Sequence, residues 1–427
     1  MIISEAISKI KSGGIDAALS SLYGEERTLW GRARYLAAIN EFSRLYGNDR
    51  DISIFSVSGR SELSGNHTDH NGGKVIAAAI DLDMIAVASA CAGSVIRMHS
   101  EGFGDLCVDF DSFHLPKAEL FGSSEAILAG IASGFGINGF AVGGFDAYTV
   151  SDIPVGAGLS SSAAFEDLTG TILNHFYNGG EIDGITLARI SKYAETDFFG
   201  KPCGLMDQIA CALGGAVAID FADSGNPRVE ELAPLLSQTG YALCVVNTGK
   251  SHERLTDEYA AIPAEMKSVA AHLGKKRLCE LKRSDIIKNV PALRRECGDR
   301  AILRALHFFD ENQRVAAQLS AIKSHDLDRF LELASESGRS SFCYLQNIYT
   351  GSSPAEQGIS LAIKLAEDFL TDKKGAVRVH GGGFAGSILA FVPTASADIF
   401  KSLTESVFGK GACHILKIRK EGAKRIV

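Results

Sequence analysis

The chain has 427 residues, of which 46% are hydrophobic and 22% charged, and a formal net charge of −8. That length exceeds what one hydrophobic core usually organises and predicts two domains of roughly 200 residues each. An acidic balance with scattered Lys and Arg excludes the basic stripe that a nucleic-acid backbone demands.

The N-terminus, MIISEAISKIKSGG, has lysines inside its apolar pattern and no continuous apolar run, so it does not read as a signal peptide. Residues 1 to 48 carry helical spacing, with Ile7, Ile10, Leu19 and Leu22 and then Tyr35, Ala38, Ile39 and Phe42 on apolar stripes. Strand-like runs follow at 52 to 58, 74 to 80, 84 to 90, 94 to 99 and 140 to 150. The longest apolar region, 75 to 96, is broken by Asp81 and Asp83, so it predicts two core strands and no membrane span. The nine cysteines include no CxxC pair, which argues against a zinc ribbon or redox dithiol and for reduced thiols in a cytoplasmic protein. No stripe of apolar residues stands out from the core pattern, and a monomer is the expectation.

Between the first two strands lies GRSELSGNHTDHNGG, residues 59 to 73, a dense polar cluster beside an apolar run. Next comes IPVGAGLSSSAAF, residues 153 to 165, where Gly156 and Gly158 permit a tight loop and Ser160, Ser161 and Ser162 open a helix predicted over 161 to 177. A helix start offers free N–H donors and a positive dipole end, which suits phosphate oxygens. A serine cap after a turn is the plainer reading, although one cap needs only one serine.

A second helix is predicted over 185 to 199. The stretch KYAETDFFGKPCGLMDQ, 192 to 208, then ends one helix and begins another, with Glu195 in the last turn and Asp207 in the first. The dipole end favours an ionised Asp207. A carboxylate among Leu205, Met206 and Ile209 needs a partner, and Arg60 is the candidate. Alternatively, Asp207 merely favours a helix start and Glu195 is solvated.

The polar stretch after Asp223 suggests a domain boundary near 225, giving domains 1–225 and 226–427. Beyond it come a strand, YALCVVNT, polar helices to 371, and the strands AVRVH and SILAFVP around a glycine cluster. HGGGFAG has the spacing of a dinucleotide fingerprint, but a strand and not a helix follows it. NTGKS resembles the end of a P-loop, yet Cys244 stands where the first glycine must be.

GRSELSGNHTDHNGG, IPVGAGLSSSAA, CGLMDQ and RVHGGGFAGS, in this order, resemble the motifs of the GHMP small-molecule kinases and, within them, the galactokinases. The likeness is traceable from about residue 45 to 390, and residues 1 to 25 have no counterpart in it. It implies an α+β, two-domain GHMP kinase fold: an N-terminal ribosomal-S5-like α/β domain, a C-terminal ferredoxin-like α+β domain, and the active site in the cleft between them. It also implies transfer of the γ-phosphoryl group of ATP, with Mg²⁺, to the C1 hydroxyl of galactose.

By the same resemblance, Arg60 and Asp207 act on the acceptor, and Ser162 and Glu195 hold Mg²⁺. Asn66, His67, Asp69, Gly204 and Tyr259 meet the sugar. Gly156, Ala157, Gly158, Leu159, Ser160, Ser161 and Ser162 cradle the triphosphate, backed by Gly381, Gly382 and Gly383. The polar cluster at 59 to 73 would then form a wall of sugar-hydroxyl partners, since an unmatched buried polar group costs about 1 to 3 kcal/mol.

Four positions depart from the family pattern: Asn66 replaces a glutamate, His70 a tyrosine, Glu62 an asparagine and Ala385 a glycine. They bear on the sugar's identity more than on the chemistry. A kinase for a related pyranose (N-acetylgalactosamine, galacturonate or arabinose) therefore stays open. A catalytically silent sugar and ATP sensor also stays open, although Ser160 to Ser162 and Asp207 are intact.

Overall fold

Helices α1 (Ile3–Lys11), α2 (Asp16–Tyr23) and α3 (Thr28–Tyr46) precede strands β1 (Ser53–Ser64), β2 (Lys74–Cys91), β3 (Val95–Ser100) and β4 (Gly104–Asp109) in the computed structural model. After α4 (Ser124–Ile137) and β5 (Gly144–Ser151) come α5 (Ser161–Asn178), α6 (Gly184–Tyr193), α7 (Met206–Leu213), β6 (Ala216–Asp220) and β7 (Arg228–Leu232). The second half runs through β8 (Tyr241–Asn247), α8 (Thr256–His272), α9 (Arg283–Glu296), α10 (Asp299–Lys323), α11 (Leu327–Ser340) and α12 (Gly358–Leu370). It closes with β9 (Ala376–His380), β10 (Ser387–Pro393), α13 (Ala397–Phe408), β11 (Cys413–Leu416) and β12 (Lys424–Arg425). The structure describes residues 1–112, 116, 118–201, 203–223, 225–232, 240–249, 256–351, 353–384 and 386–427. Lys250 and Ser251 of the P-loop look-alike and Ala385 lie outside the described residues.

Among those residues, β12-β1-β2-β5-β3-β4 form the larger sheet, with β6 added to the first half of β2 and β7 to β6. The smaller sheet has the order β11-β8-β10-β9 and is antiparallel throughout. Successive residues of a strand face opposite sides, and both faces of the large sheet are covered. Ile54, Ile85 and Val87 pack with Leu19, Tyr35 and Phe42 of the N-terminal helices. Phe55, Ala86 and Ala88 on the other face pack with Leu128, Phe135, Leu168 and Ile172.

The two strands expected at 74 to 80 and 84 to 90 are one strand of 18 residues. The aspartates expected to interrupt it are buried within it, because cations come to them. Asp81 receives Arg27 at 3.2 Å and the Lys417 amide at 2.9 Å. Asp83 is fully buried and receives Tyr23 at 2.6 Å, Arg419 at 2.9 Å and the guanidinium of Arg34. Burial alone would raise the Asp83 carboxyl; Arg34 and Arg419 outweigh it and hold the group below the usual carboxylate range.

Arg419 belongs to a C-terminal segment that returns to the first sheet. Its amide donates to the Ala79 carbonyl at 3.1 Å, and β12 pairs with β1 at Phe55 and Ser56. A division of the chain at 225 therefore leaves β7 and the last residues hydrogen-bonded into the larger sheet. No described helix is long and apolar enough to cross a membrane, and all nine cysteines are free.

Replacing Arg419 with Met strips the fully buried Asp83 of one of its two cations. Loss of about 3 kcal/mol in chemical denaturation is expected; a loss below about 0.5 kcal/mol, the scale of a neutral surface change, contradicts the account.

Candidate active site

Asp207 sits in the first turn of α7, where unpaired amides favour its charge. Arg60, on β1, grips it with two parallel bonds: Nε to Oδ1 at 2.8 Å and Nη2 to Oδ2 at 2.6 Å. Fork-to-fork pairing of this kind fixes both groups in one plane. The Arg60 side chain is 8% exposed and that of Asp207 33%, so the carboxylate is the partner with an open face. Burial pushes the Asp207 carboxyl up, but the Arg60 charge and the hydrogen bonds from Arg60 and Ser160 overcome it and hold the group below its ordinary value.

Ser160 was expected to open α5. Instead it takes a left-handed backbone, φ 58°, makes no cap bond, and its Oγ donates to Asp207 Oδ2 at 2.5 Å. Arg60 Nη1 donates to the Gly158 carbonyl at 2.5 Å, and the Arg60 amide donates to the Leu159 carbonyl at 3.1 Å. The loop at 156 to 160 therefore lies directly on β1. A Cβ at Gly59 would stand 2.7 Å from the Leu159 carbonyl, so only glycine admits this approach.

Glu195 occupies a π-turn, Ala194–Phe198, that extends α6, and it is 4% exposed. It is not the solvated helix residue of the plainer reading. Lys201 Nζ reaches its Oε1 at 2.8 Å and Gln208 Nε2 its Oε2 at 2.9 Å. The same Gln208 nitrogen donates to Glu166 Oε2 at 3.0 Å, leaving Glu166 Oε1 and Gln208 Oε1 buried without a partner. Burial and then the charge of Glu195 push the Glu166 carboxyl well above its ordinary value. Sequence reasoning missed Glu166 and Gln208. The spacing from Ser162 to Glu166, four residues on one helix, was the available signal. Ser162 itself is exposed at the start of α5.

The stretch 59 to 73 proves to be a seam as much as a wall. Asn66 is fully buried and its side chain is spent on protein. Its amide donates to Glu62 at 3.1 Å and to the Gly381 carbonyl at 2.7 Å, while its oxygen accepts from Asn347 at 2.8 Å and Ser341 at 3.3 Å. The expectation that Asn66 meets a sugar is therefore corrected: an asparagine with all four positions filled has nothing left to offer a hydroxyl. Glu62 bonds Arg378 at 2.7 Å, and the Gly65 and Asn66 amides donate to Glu311 at 3.3 Å.

His67, with φ 57°, places Nε2 3.0 Å from the Gly382 carbonyl. Tyr259 donates to the Gly383 carbonyl at 2.7 Å, and a Cβ on Gly382 would stand 2.3 Å from its ring. The hairpin Gly381 to Gly383 thus touches the expected sugar residues, while Ser387, at its far side, donates to the Ala157 carbonyl of the loop at 2.8 Å. Asp69 lies across Gly204, where a Cβ would fall 1.9 Å from its Oδ2. His380 was not singled out from the sequence. Its Nε2 accepts from the Glu62 amide at 3.2 Å and lies 3.1 Å from Ser61 Oγ.

The signature "GHMP kinases N terminal domain" matches residues 124–215, and "Galactokinase galactose-binding signature" matches 40–90. A crystal structure of Lactococcus lactis galactokinase complexed with galactose superposes with a TM-score of 0.78 at 23% identity, covering 90% of this chain and 98% of that one. The fold is that of the GHMP kinases. The galactokinase of Streptomyces coelicolor is 30% identical over 398 residues, 90% of this chain and 97% of its own length. That of Enterococcus faecalis is 31% identical over 373 residues, covering 85% and 91% respectively. The chain belongs to the galactokinase family.

Two predictions follow from the packing. Gly204→Ala drives a methyl into the Asp69 carboxylate; KM for the sugar should rise at least about tenfold while KM for ATP stays within about twofold. Equal rises in both would show a general collapse of the loop instead.

The second concerns pH. Burial, followed by the charges of Arg60 and Arg378, lowers His380 from 6.5 to about 3. Burial, moderated by the Gly382 contact, lowers His67 to about 4. The unfolded chain takes up these protons near pH 6.5 and the folded chain does not, so this stabilisation is complete above 6.5 and is lost as pH falls toward 4. In urea denaturation, wild type should lose stability about 1.4 kcal/mol per pH unit more steeply below pH 6 than a His380→Gln variant, a difference in which all other groups cancel. Parallel profiles for the two proteins between pH 6 and 5 would falsify the assignment.

Proposed function

We propose that this protein is an ATP-dependent kinase that transfers the γ-phosphoryl group to the C1 hydroxyl of galactose, forming galactose 1-phosphate. The observation that carries the reading is the junction of Arg60, Asp207 and Ser160: an ionised, one-third exposed carboxylate tied by a hydroxyl and a guanidinium to a loop suited to phosphate. Membership of the galactokinase family supports it. In the notional division near residue 225, both halves contribute, since the glycine hairpin lies against the loop and the 59 to 73 segment.

In this reading Asp207 accepts or orients the proton of the attacking hydroxyl, a role worth about 10² to 10⁴ in rate. Arg60 keeps that carboxylate anionic and offsets charge growing on the transferred group. The loop from Gly156 to Ser162 binds the triphosphate through amides at the start of α5. His67, Asp69, Gly204 and Tyr259 surround the sugar.

Glu195 and Glu166 flank Gln208, whose Nε2 donates to both, and Mg²⁺ prefers oxygen ligands with few of them from protein. Ser162 and Glu195 would hold Mg²⁺, which would neutralise charge on the phosphate oxygens. Free cysteines are in keeping with a reducing cytoplasm.

Asp207→Asn keeps the shape and a hydrogen-bonding oxygen but removes the charge. With ATP and galactose, kcat should fall about 10²- to 10⁴-fold, and the thermal midpoint should drop as well, because Arg60 loses its counter-charge, while the protein stays folded at the assay temperature. Phosphorus NMR of the wild-type product should show the anomeric phosphate. Phosphorylation of another pyranose in preference to galactose, or sugar binding without ADP release, overturns the reading.

A further inference from the structure

His380 ends β9 just before the glycine hairpin and is 2% exposed. Its tautomer follows from its neighbours. The Glu62 backbone amide can only donate, so the ring nitrogen it meets, Nε2, must be the bare one. The proton therefore sits on Nδ1. That Nδ1–H is buried and has no acceptor in the protein. An unspent buried donor costs roughly 1 to 3 kcal/mol, and such groups persist in native structures where a ligand or a function uses them.

The ring lies against the phosphate-suited loop. A Cβ built on Gly158 would have only His380 within 4 Å, with Nδ1 at 3.3 Å and Cε1 at 3.8 Å. Apart from that ring and the adjoining residues of the loop, nothing stands within 4 Å of this point, and Nδ1 is the ring atom nearest it. Gly156 and Gly158 both have left-handed φ, 77° and 73°, backbone that a side chain would strain. The carbonyl of the same Gly158 accepts from Arg60, which in turn holds Asp207. The donor therefore stands on the acceptor side of the loop. It is neutral at physiological pH, so it brings a hydrogen bond without adding a further charge beside Arg60 and Arg378.

We infer that His380 is a nucleotide-binding residue whose Nδ1–H donates to an oxygen of the terminal phosphate of ATP. The inference rests on the kinase reading above. The glycine hairpin then serves the loop in two ways. Ser387 fixes it through the Ala157 carbonyl, and His380 sets an unspent donor beside Gly158.

Two variants separate this contact from a structural role. His380→Gln can present an amide oxygen near the Nε2 position to the Glu62 amide but has no donor at Nδ1. His380→Asn places a donor near Nδ1 and loses the acceptor at Nε2. Calorimetry with the non-hydrolysable analogue AMP-PNP should show His380→Gln binding roughly 10- to 100-fold more weakly than wild type, with ADP affinity and sugar KM within about twofold. His380→Asn should recover most of the AMP-PNP affinity even where its melting temperature is lower. Unchanged AMP-PNP affinity in His380→Gln overturns the inference, as does an equal loss for ADP and AMP-PNP, which means the ring only props the loop. Wild-type protein that binds AMP-PNP but leaves galactose unphosphorylated sinks the substrate reading alone, and the His380 comparison still stands.

Discussion

A single charge pair, buried Arg60 with the partly exposed Asp207, organises the site. Two parallel hydrogen bonds lock the guanidinium and the carboxylate in one plane, and the remaining Arg60 nitrogen fastens the loop at Gly158. Three elements distant in sequence, β1, the 156 to 160 loop and the start of α7, are thereby held to one point. Each also accommodates the pair locally: Gly59 clears room for the Leu159 carbonyl, Ser160 adopts a left-handed turn to reach the carboxylate, and α7 offers its amide end. Removing a charge from water is costly unless a partner and further hydrogen bonds compensate, and here the compensation and the proposed chemistry use the same atoms.

The polar cluster beside the apolar strand has a double role. Glu62, Ser64, Asn66 and the amides of Gly65 and Asn66 face Arg378, Gln318, Asn347 and Glu311 from the second half of the chain. Buried polar groups must be paired, and pairing them across two halves ties the position of one to the other. His67, Asp69 and Gly204 lie on the side proposed for the sugar. An active site between two bodies demands such a seam, because a shift of an ångström between carboxylate and phosphate is costly in rate.

Much of this was legible in the sequence. The helix from Ser161, the helix break before Asp207 and the strand after the glycine cluster follow from periodicity, glycine and serine placement, and all appear as expected. The partnership of Arg60 with Asp207 was legible because an aspartate among apolar neighbours needs a cation. What was not legible depends on contacts far apart in the chain. Asp81 and Asp83 look like strand breakers until Arg34, Arg419 and Lys417 arrive from both ends. Asn66 looks like a ligand residue because its four protein partners lie up to 315 positions away. Strands β4, β7 and β12 are short or polar and carry little periodic signal. His380 looked like an ordinary strand residue, since an idle ring nitrogen can be recognised only in three dimensions.

The return of the chain end to β1 has a consequence for biosynthesis. The hydrogen-bonding edge of β1 and the cation beside Asp83 are supplied by residues 419 to 425. A nascent polypeptide emerging from the ribosome holds its first sheet incomplete, with a carboxylate lacking one counter-charge, until residues 419 to 425 have emerged. Contacts spanning so much sequence slow folding. The finished sheet thus records that residues 419 to 425 were made, and a product released before them lacks the means to close it.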